Sequence, residues 1–163
     1  MAVKSLIKRN YDKQPQLNYP DYKSSILRAP KKDKVFFPSS PSEVSGPIFN
    51  KNIIRKFDND LTLNFSQNNA SPIGHKIIVH GTIRDQYLKP IKGALIEIWQ
   101  ANAGGKYFHN KDQNIAAIDP NFAGCGRCLT ENNGAYEFIT IQPGPYPYPN
   151  RGVEWRPMHI HFS

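Results

Sequence analysis

Only two of the 163 residues are cysteine, and they sit together in Cys125-Gly126-Arg127-Cys128. A structural zinc site needs four ligands, and no second Cys-x-x-Cys is present to complete one. A thioredoxin-like pair needs a strand–motif–helix setting, which the flanking residues do not provide. Both cysteines therefore read as reduced thiols. No uninterrupted apolar run approaches the length that crosses a bilayer. The start, Met1-Ala2-Val3-Lys4-Ser5-Leu6-Ile7-Lys8-Arg9, is basic but has no apolar signal-peptide core. These absences give the expectation of a cytoplasmic protein with no membrane partner. Internal repeats and low-complexity tracts are also missing.

Acidic residues are scarce at the front. Residues 1–56 hold 12 Lys and Arg against 4 Asp and Glu, whereas residues 57–163 hold 9 of each, so the net charge of +8 belongs to the front segment alone. Prolines at 15, 20, 30, 38, 41 and 47 break any long helix there. Residues 1–56 read as a basic, irregular arm whose charge is a solvated surface. The alternative is an arm meeting an acidic partner or nucleic acid, but no nucleic-acid motif accompanies the charge, and no nucleic-acid partner is expected. The length fits one domain with a hydrophobic core, placed at residues 57–163.

From Asn59 onward the pattern is of short strands. Leu61-Thr62-Leu63-Asn64-Phe65 alternates apolar and polar. Lys76–Thr82 is β-branched and reads as a buried strand. In Ala94–Gln100, Leu95 and Glu97 share one face while Ile96, Ile98 and Gln100 share the other. Ala135–Ile141 follows the turn signal Asn132-Asn133-Gly134. The chain closes on the strand Met158–Ser163. Short strands with Gly, Pro and Asn turns and no helical period argue for an all-β sandwich. A long loop without periodicity, Ala101 to about Thr130, is read as functional.

Four residues stand out as metal ligands: Tyr107, Tyr146, His159 and His161. In an extended strand His159 and His161 project together, with Ile160 turned away. Taken alone, the pair also fits two polar residues on an exposed face. Tyr146 lies in the stiff run Pro143-Gly144-Pro145-Tyr146-Pro147-Tyr148-Pro149, where it could equally be a packed loop aromatic. Tyr107, in Gly104-Gly105-Lys106-Tyr107, is weaker as a lone residue. The donor types select the metal. Zinc favours Cys, His and carboxylate, whereas phenolate is a hard anion suited to ferric iron. Two phenolates and a hydroxide would balance Fe(III) and hold it oxidised. Such a centre suits the activation of an electron-rich catechol for attack by O2.

Several runs resemble the intradiol ring-cleavage dioxygenases. They are Leu95–Tyr107, Asp119-Pro120-Asn121-Phe122-Ala123-Gly124, and Pro143–Pro147 continuing to Glu154-Trp155-Arg156-Pro157-Met158-His159-Ile160-His161-Phe162. Within that family they are most similar to the β chains of the protocatechuate-cleaving branch. Pro20–Ser25 and Ser45-Gly46-Pro47 extend the resemblance into the arm, to roughly residues 10–163.

The resemblance implies one non-haem Fe(III), with Tyr107 and His159 equatorial and Tyr146 and His161 axial. It implies that the substrate displaces Tyr146, whose phenolate takes up a substrate proton, and that Arg156 stabilises charge developing on the substrate. Tyr22 matches a position linked to the substrate carboxylate, and Tyr148 stands where the family often has tryptophan. Asp119, His109 and Asp112 would be structural or would support the ligands. The implied reaction is cleavage of protocatechuate by O2 to 3-carboxy-cis,cis-muconate, a step of aromatic catabolism by the β-ketoadipate route. The implied partner is an α chain in an αβ hetero-oligomer. Family β chains continue for several strands beyond the position of Ser163, so a truncated sandwich with exposed apolar faces is expected. Alternative readings are a catechol or hydroxyquinol dioxygenase, an inactive assembly subunit, and a zinc hydrolase using His159, His161 and a loop carboxylate.

Overall fold

A computed structural model describes residues 18–21, 29–32, 35, 40, 49, 51–68, 70–149 and 153–163. Proximity of Cα atoms divides the chain into two units, Met1–Asn50 and Lys51–Ser163. The second unit opens with a 3-10 turn at Lys51–Ile53 and then carries the strands β1 (Lys76–Thr82), β2 (Leu95–Gln100), β3 (Cys125–Leu129), β4 (Ala135–Ile141), β5 (Tyr146–Pro149), β6 (Val153–Arg156) and β7 (Ile160–Phe162). The fold class is all-β, as the alternation and turn signals predict. β1 pairs with β4, β2 lies between β3 and β7, and β5 pairs with β6; every pairing is antiparallel.

The sandwich core forms where β2 and β4 present their apolar faces to each other. Ile96 and Ile98 from β2 are buried with Phe138 and Ile141 from β4, and Leu61 and Phe122 close the cluster. The β2 pattern is the expected one, with Ile96, Ile98 and Gln100 inside and Glu97 and Trp99 outside. Gln100 is buried yet polar, and it ties the two sheets together. Its Nε2 donates to the Ile141 carbonyl at 2.7 Å, and its Oε1 accepts from Thr140 Oγ1 at 2.8 Å. Buried polar atoms are costly unless paired, so this link holds only as a complete set. Thr140→Val keeps the shape but strips the donor from Gln100 Oε1. We expect a loss of about 1–3 kcal/mol, read from urea denaturation.

Four segments depart from the sequence expectation. Leu61–Phe65 is a helical turn, not a strand. Asp60 Oδ1 accepts from both the amide and the hydroxyl of Thr62, and the Asp60 carbonyl accepts from the amides of Leu63 and Asn64. A short acidic side chain capping its own backbone outcompetes the ladder. β1 is covered on one face only: Ile78 is 60% exposed while Val79 packs on the core. The Pro143–Pro149 run is not all loop, because Tyr146–Pro149 pairs with Val153–Arg156. Prolines at alternate positions turn their missing N–H groups away from the partner strand and leave Tyr146 and Tyr148 as donors.

β3 lies inside the long loop expected between Ala101 and Thr130. The turn at Asn132–Gly134 exists, with Gly134 at φ +77°, but its flanking strands enter different sheets. Cys125 and Cys128 are free thiols. Three residues apart on β3, they point to opposite faces. Other apolar side chains stand exposed on strands, among them Trp155 and Phe162. Among the described residues no helix is long and apolar enough to cross a membrane.

Candidate metal centre

Three short segments converge on one point. The first is β7 with the residue before it. β7 pairs with β2 so that His161 lies across from Trp99. Their rings stack with centroids 4.8 Å apart and planes 1° apart. His159 precedes the strand, and its Nδ1 lies 2.6 Å from the Pro157 carbonyl. A carbonyl only accepts, so Nδ1 carries the proton and Nε2 keeps its lone pair. The two imidazole centroids are 4.8 Å apart, on one side of the strand as the i, i+2 spacing requires.

The second segment is the loop after β2. Asn102 folds it: its side-chain oxygen accepts from the amides of Gly104 and Lys106, and its Nδ2 donates to the Ala117 carbonyl. Lys106 is buried, yet its Nζ is satisfied by the carbonyls of Asp112 and Asn114, with the Asp112 carboxylate 3.6 Å away. Asp112 in turn accepts from the Tyr107 amide at 2.8 Å and the Asn114 amide at 2.7 Å. This network fixes the backbone from which Tyr107 projects. Its hydroxyl lies 3.3 Å from His159 Nε2 and 3.2 Å from His161 Nε2.

The third segment brings Tyr146. The Gly144 amide donates to the Asn102 carbonyl at 2.9 Å, which seats the 142–146 turn against the Tyr107 loop. The Tyr146 ring then meets the Tyr107 ring edge-on, with centroids 5.1 Å apart. Arg156 lies across from Tyr146 in the β5–β6 ribbon, and its guanidinium covers the Tyr148 ring at 4.2 Å. The Arg156 Nε is buried without a hydrogen-bond partner among the described residues. A guanidinium so placed has a donor to offer an anion.

The electrostatics of this cluster favour neutral ligands in the absence of a cation. Burial pushes the Tyr107 phenol above its ordinary value, Tyr146 adds to that, and Arg156 opposes it. Burial also raises Tyr146, as do the charge of Asp112 and a hydrogen bond to it, again against Arg156. Burial lowers His161, and the proximity of the His159 imidazole and the Arg156 guanidinium acts in the same direction. The single phenol proton of Tyr107 can serve only one of the two Nε2 lone pairs that face it. A high-valent cation reverses each of these preferences. The spacing fits as well. Two N or O ligands bound to one ion at about 2.1 Å and about 100° apart lie about 3.2 Å from each other. The donor set, phenol oxygen with imidazole nitrogen, suits ferric iron. Among the described residues no group of three or more His, Cys, Asp and Glu could hold a metal. Because both phenols begin protonated, uptake of Fe(III) at pH 7 is expected to release about two protons or more per ion, measurable in a pH-stat.

The structure thus gathers Tyr107, Tyr146, His159 and His161, with Arg156 and Tyr148 beside them. Tyr22 lies outside the described residues. Asp119 is structural, accepting from the amides of Ile73 and Asn121. His109 is exposed and accepts from the Lys111 amide in a local turn. Sequence reasoning missed Trp99, Lys106, Asn102 and the Pro157 carbonyl. The buried network left no periodic signal, and the stack depends on strand pairing.

Comparison with known proteins gives the family. Residues 44–163 match the family described as Dioxygenase, and residues 7–40 match the one described as Protocatechuate 3,4-dioxygenase beta subunit N terminal. The chain belongs to the intradiol ring-cleavage dioxygenases, a family of oxidoreductases. Within that family, the protocatechuate 3,4-dioxygenase beta chain of Burkholderia cepacia is 41% identical over 158 residues, 97% of this chain and 67% of that one. The catechol 1,2-dioxygenase of Acinetobacter baylyi is 35% identical over 109 residues, 57% of this chain and 32% of its own length. In three dimensions, the crystal structure of 3-chlorocatechol 1,2-dioxygenase from Rhodococcus opacus 1CP superposes with a TM-score of 0.50 at 26% identity, covering 66% of this chain and 43% of that chain. The chain thus spans less than half of each of the two catechol-cleaving relatives.

Proposed function

We propose that this chain is the iron-bearing subunit of an enzyme that cleaves protocatechuate with O2 between its two hydroxylated carbons, giving 3-carboxy-cis,cis-muconate. The observation that carries the reading is Tyr107 Oη within 3.3 Å of both imidazole Nε2 atoms. Tyr107, Tyr146, His159 and His161 would hold a non-haem Fe(III). When bound, the ferric ion supplies Lewis acidity that draws charge from a catecholic diol and readies the ring for O2. The chain's own residues do the rest. Tyr146 sits on a ribbon separate from the histidine strand; as a phenolate it would take up a substrate proton and, once protonated, hydrogen-bond to Asp112. Arg156, whose Nε has no partner among the described residues, would offer it to the anionic substrate and lower the cost of negative charge there. Tyr148, held under the Arg156 guanidinium, would present an aromatic face to the substrate beside it.

Protocatechuate is preferred over catechol and hydroxyquinol because the Burkholderia cepacia protein that aligns over 97% of this chain is named for it. The same relative, together with the N-terminal match at residues 7–40, supports an α chain as partner. The test is to co-express the chain with an α chain, load it with Fe(III) and follow O2 uptake. A visible tyrosinate-to-iron band with uptake on protocatechuate well above that on catechol is expected. A coloured protein that consumes no O2 would make this an assembly subunit, and a colourless one would refute the iron reading.

A further inference from the structure

The two imidazoles are held in different ways. The terminal torsion of histidine is soft, so a ring that must aim a lone pair needs an outside constraint. Metal-binding histidines almost always obtain it by donating the other ring N–H to an acceptor. His159 does so, with Nδ1 2.6 Å from the Pro157 carbonyl. His161 does not. Among the described residues its ring has one hydrogen-bond partner, Tyr107 Oη, and that lies on Nε2. What His161 has instead is the Trp99 indole, parallel to within 1° at 4.8 Å.

We propose that Trp99 is a positioning residue that fixes the orientation of the His161 imidazole by stacking on its face. The inference rests on the iron-binding reading above, because an aimed Nε2 matters only if it is a ligand. Strand pairing builds the stack: Trp99 and His161 are Cα partners on adjacent antiparallel strands, with side chains on one face. On its other side Trp99 pairs with Cys125, and it lines a cavity of about 410 Å³ shared with Phe65, Cys125 and Arg127. The indole thus touches that cavity as well as His161. Core packing does not account for it. Trp99 is 40% exposed and lies on the face opposite Ile96 and Ile98. A large aromatic left that open contributes little to the core, whereas its contact with His161 is parallel and close.

The test compares Trp99→Leu and Trp99→Phe with the unmodified chain, each co-expressed with an α chain. Two readouts are used. In metal-free protein, the His161 ring-proton NMR signals, assigned with His161→Gln, should lose their indole ring-current shift in the Leu variant and keep part of it in the Phe variant. In Fe(III)-loaded protein, iron release to a chelator should be about tenfold faster or more in the Leu variant. The Phe variant should release iron at a rate close to the unmodified chain. Unmoved His161 signals, or a Phe variant that loses iron as fast as the Leu variant, would overturn the proposal. If the Leu variant fails to fold, the Phe variant's NMR signals decide alone, since unchanged signals exclude the stack. If the unmodified chain takes up no Fe(III), the iron reading has failed, and the NMR comparison still reports on the stack separately.

Discussion

Tyr107→Phe is expected to abolish most of the visible ferric band and to weaken Fe(III) retention by at least about a hundredfold, at the upper end of what even supporting residues cost. The reason is geometric. Tyr107 Oη is the atom that approaches both imidazoles, at 3.3 and 3.2 Å, so it sits at the junction of the donor set. The fold spends heavily to put it there. Lys106 is buried beside Asp112, and Asp112 holds the Tyr107 amide, so the neighbouring side chains serve to fix one backbone position. Phenylalanine keeps the ring and its edge contact with Tyr146, which isolates the loss to one oxygen. Stability should change little, because a part-buried hydroxyl contributes about 1 kcal/mol net. Absorption spectra and chelator competition on the two proteins check this; an unchanged band would remove Tyr107 from the ligand set.

Gly105→Ala is expected to be the most damaging single methyl addition near the site. Gly105 has φ +78°, a region that L side chains rarely adopt. A Cβ there would stand 2.1 Å from the Pro145 carbonyl oxygen. That oxygen is backbone, in the residue just before Tyr146, so relief requires the two tyrosine-bearing segments to separate. The cost should be about 3 kcal/mol or more, from left-handed strain plus displacement of backbone. The centre should fail before the fold does. Iron uptake should drop even in conditions where the chain remains folded by circular dichroism. A variant with native stability and native iron content would show that the two loops are not coupled as described.

What the sequence makes legible follows the range of its signals. The β2 alternation is a local pattern, and its inward face is the one expected. The histidine pair is legible for the same reason, since two residues on a strand share a face whatever the fold. Capping defeats the Leu61–Phe65 reading, because Asp60 bonds to its own turn and no apolar count records that. β3 is hidden by Gly126, a poor strand former whose missing Cβ makes room for Leu61. The β5–β6 ribbon is hidden by its prolines, which weaken every strand signal yet sit at positions where no donor is needed. Convergence of the four donors is a tertiary fact. From its local sequence Tyr107 is the weakest of the four candidates, and the family resemblance strengthens it. The Trp99 stack depends on which strand borders β2, and nothing within either strand specifies that.

The central claim is that two phenol oxygens and two imidazole nitrogens surround one ferric ion. Resonance Raman spectroscopy within the visible band of the Fe(III)-loaded protein tests it most directly. Two distinct tyrosinate C–O vibrations are expected, one lost in Tyr107→Phe and the other in Tyr146→Phe. A spectrum with no tyrosinate modes, or one that neither substitution alters, would contradict the account.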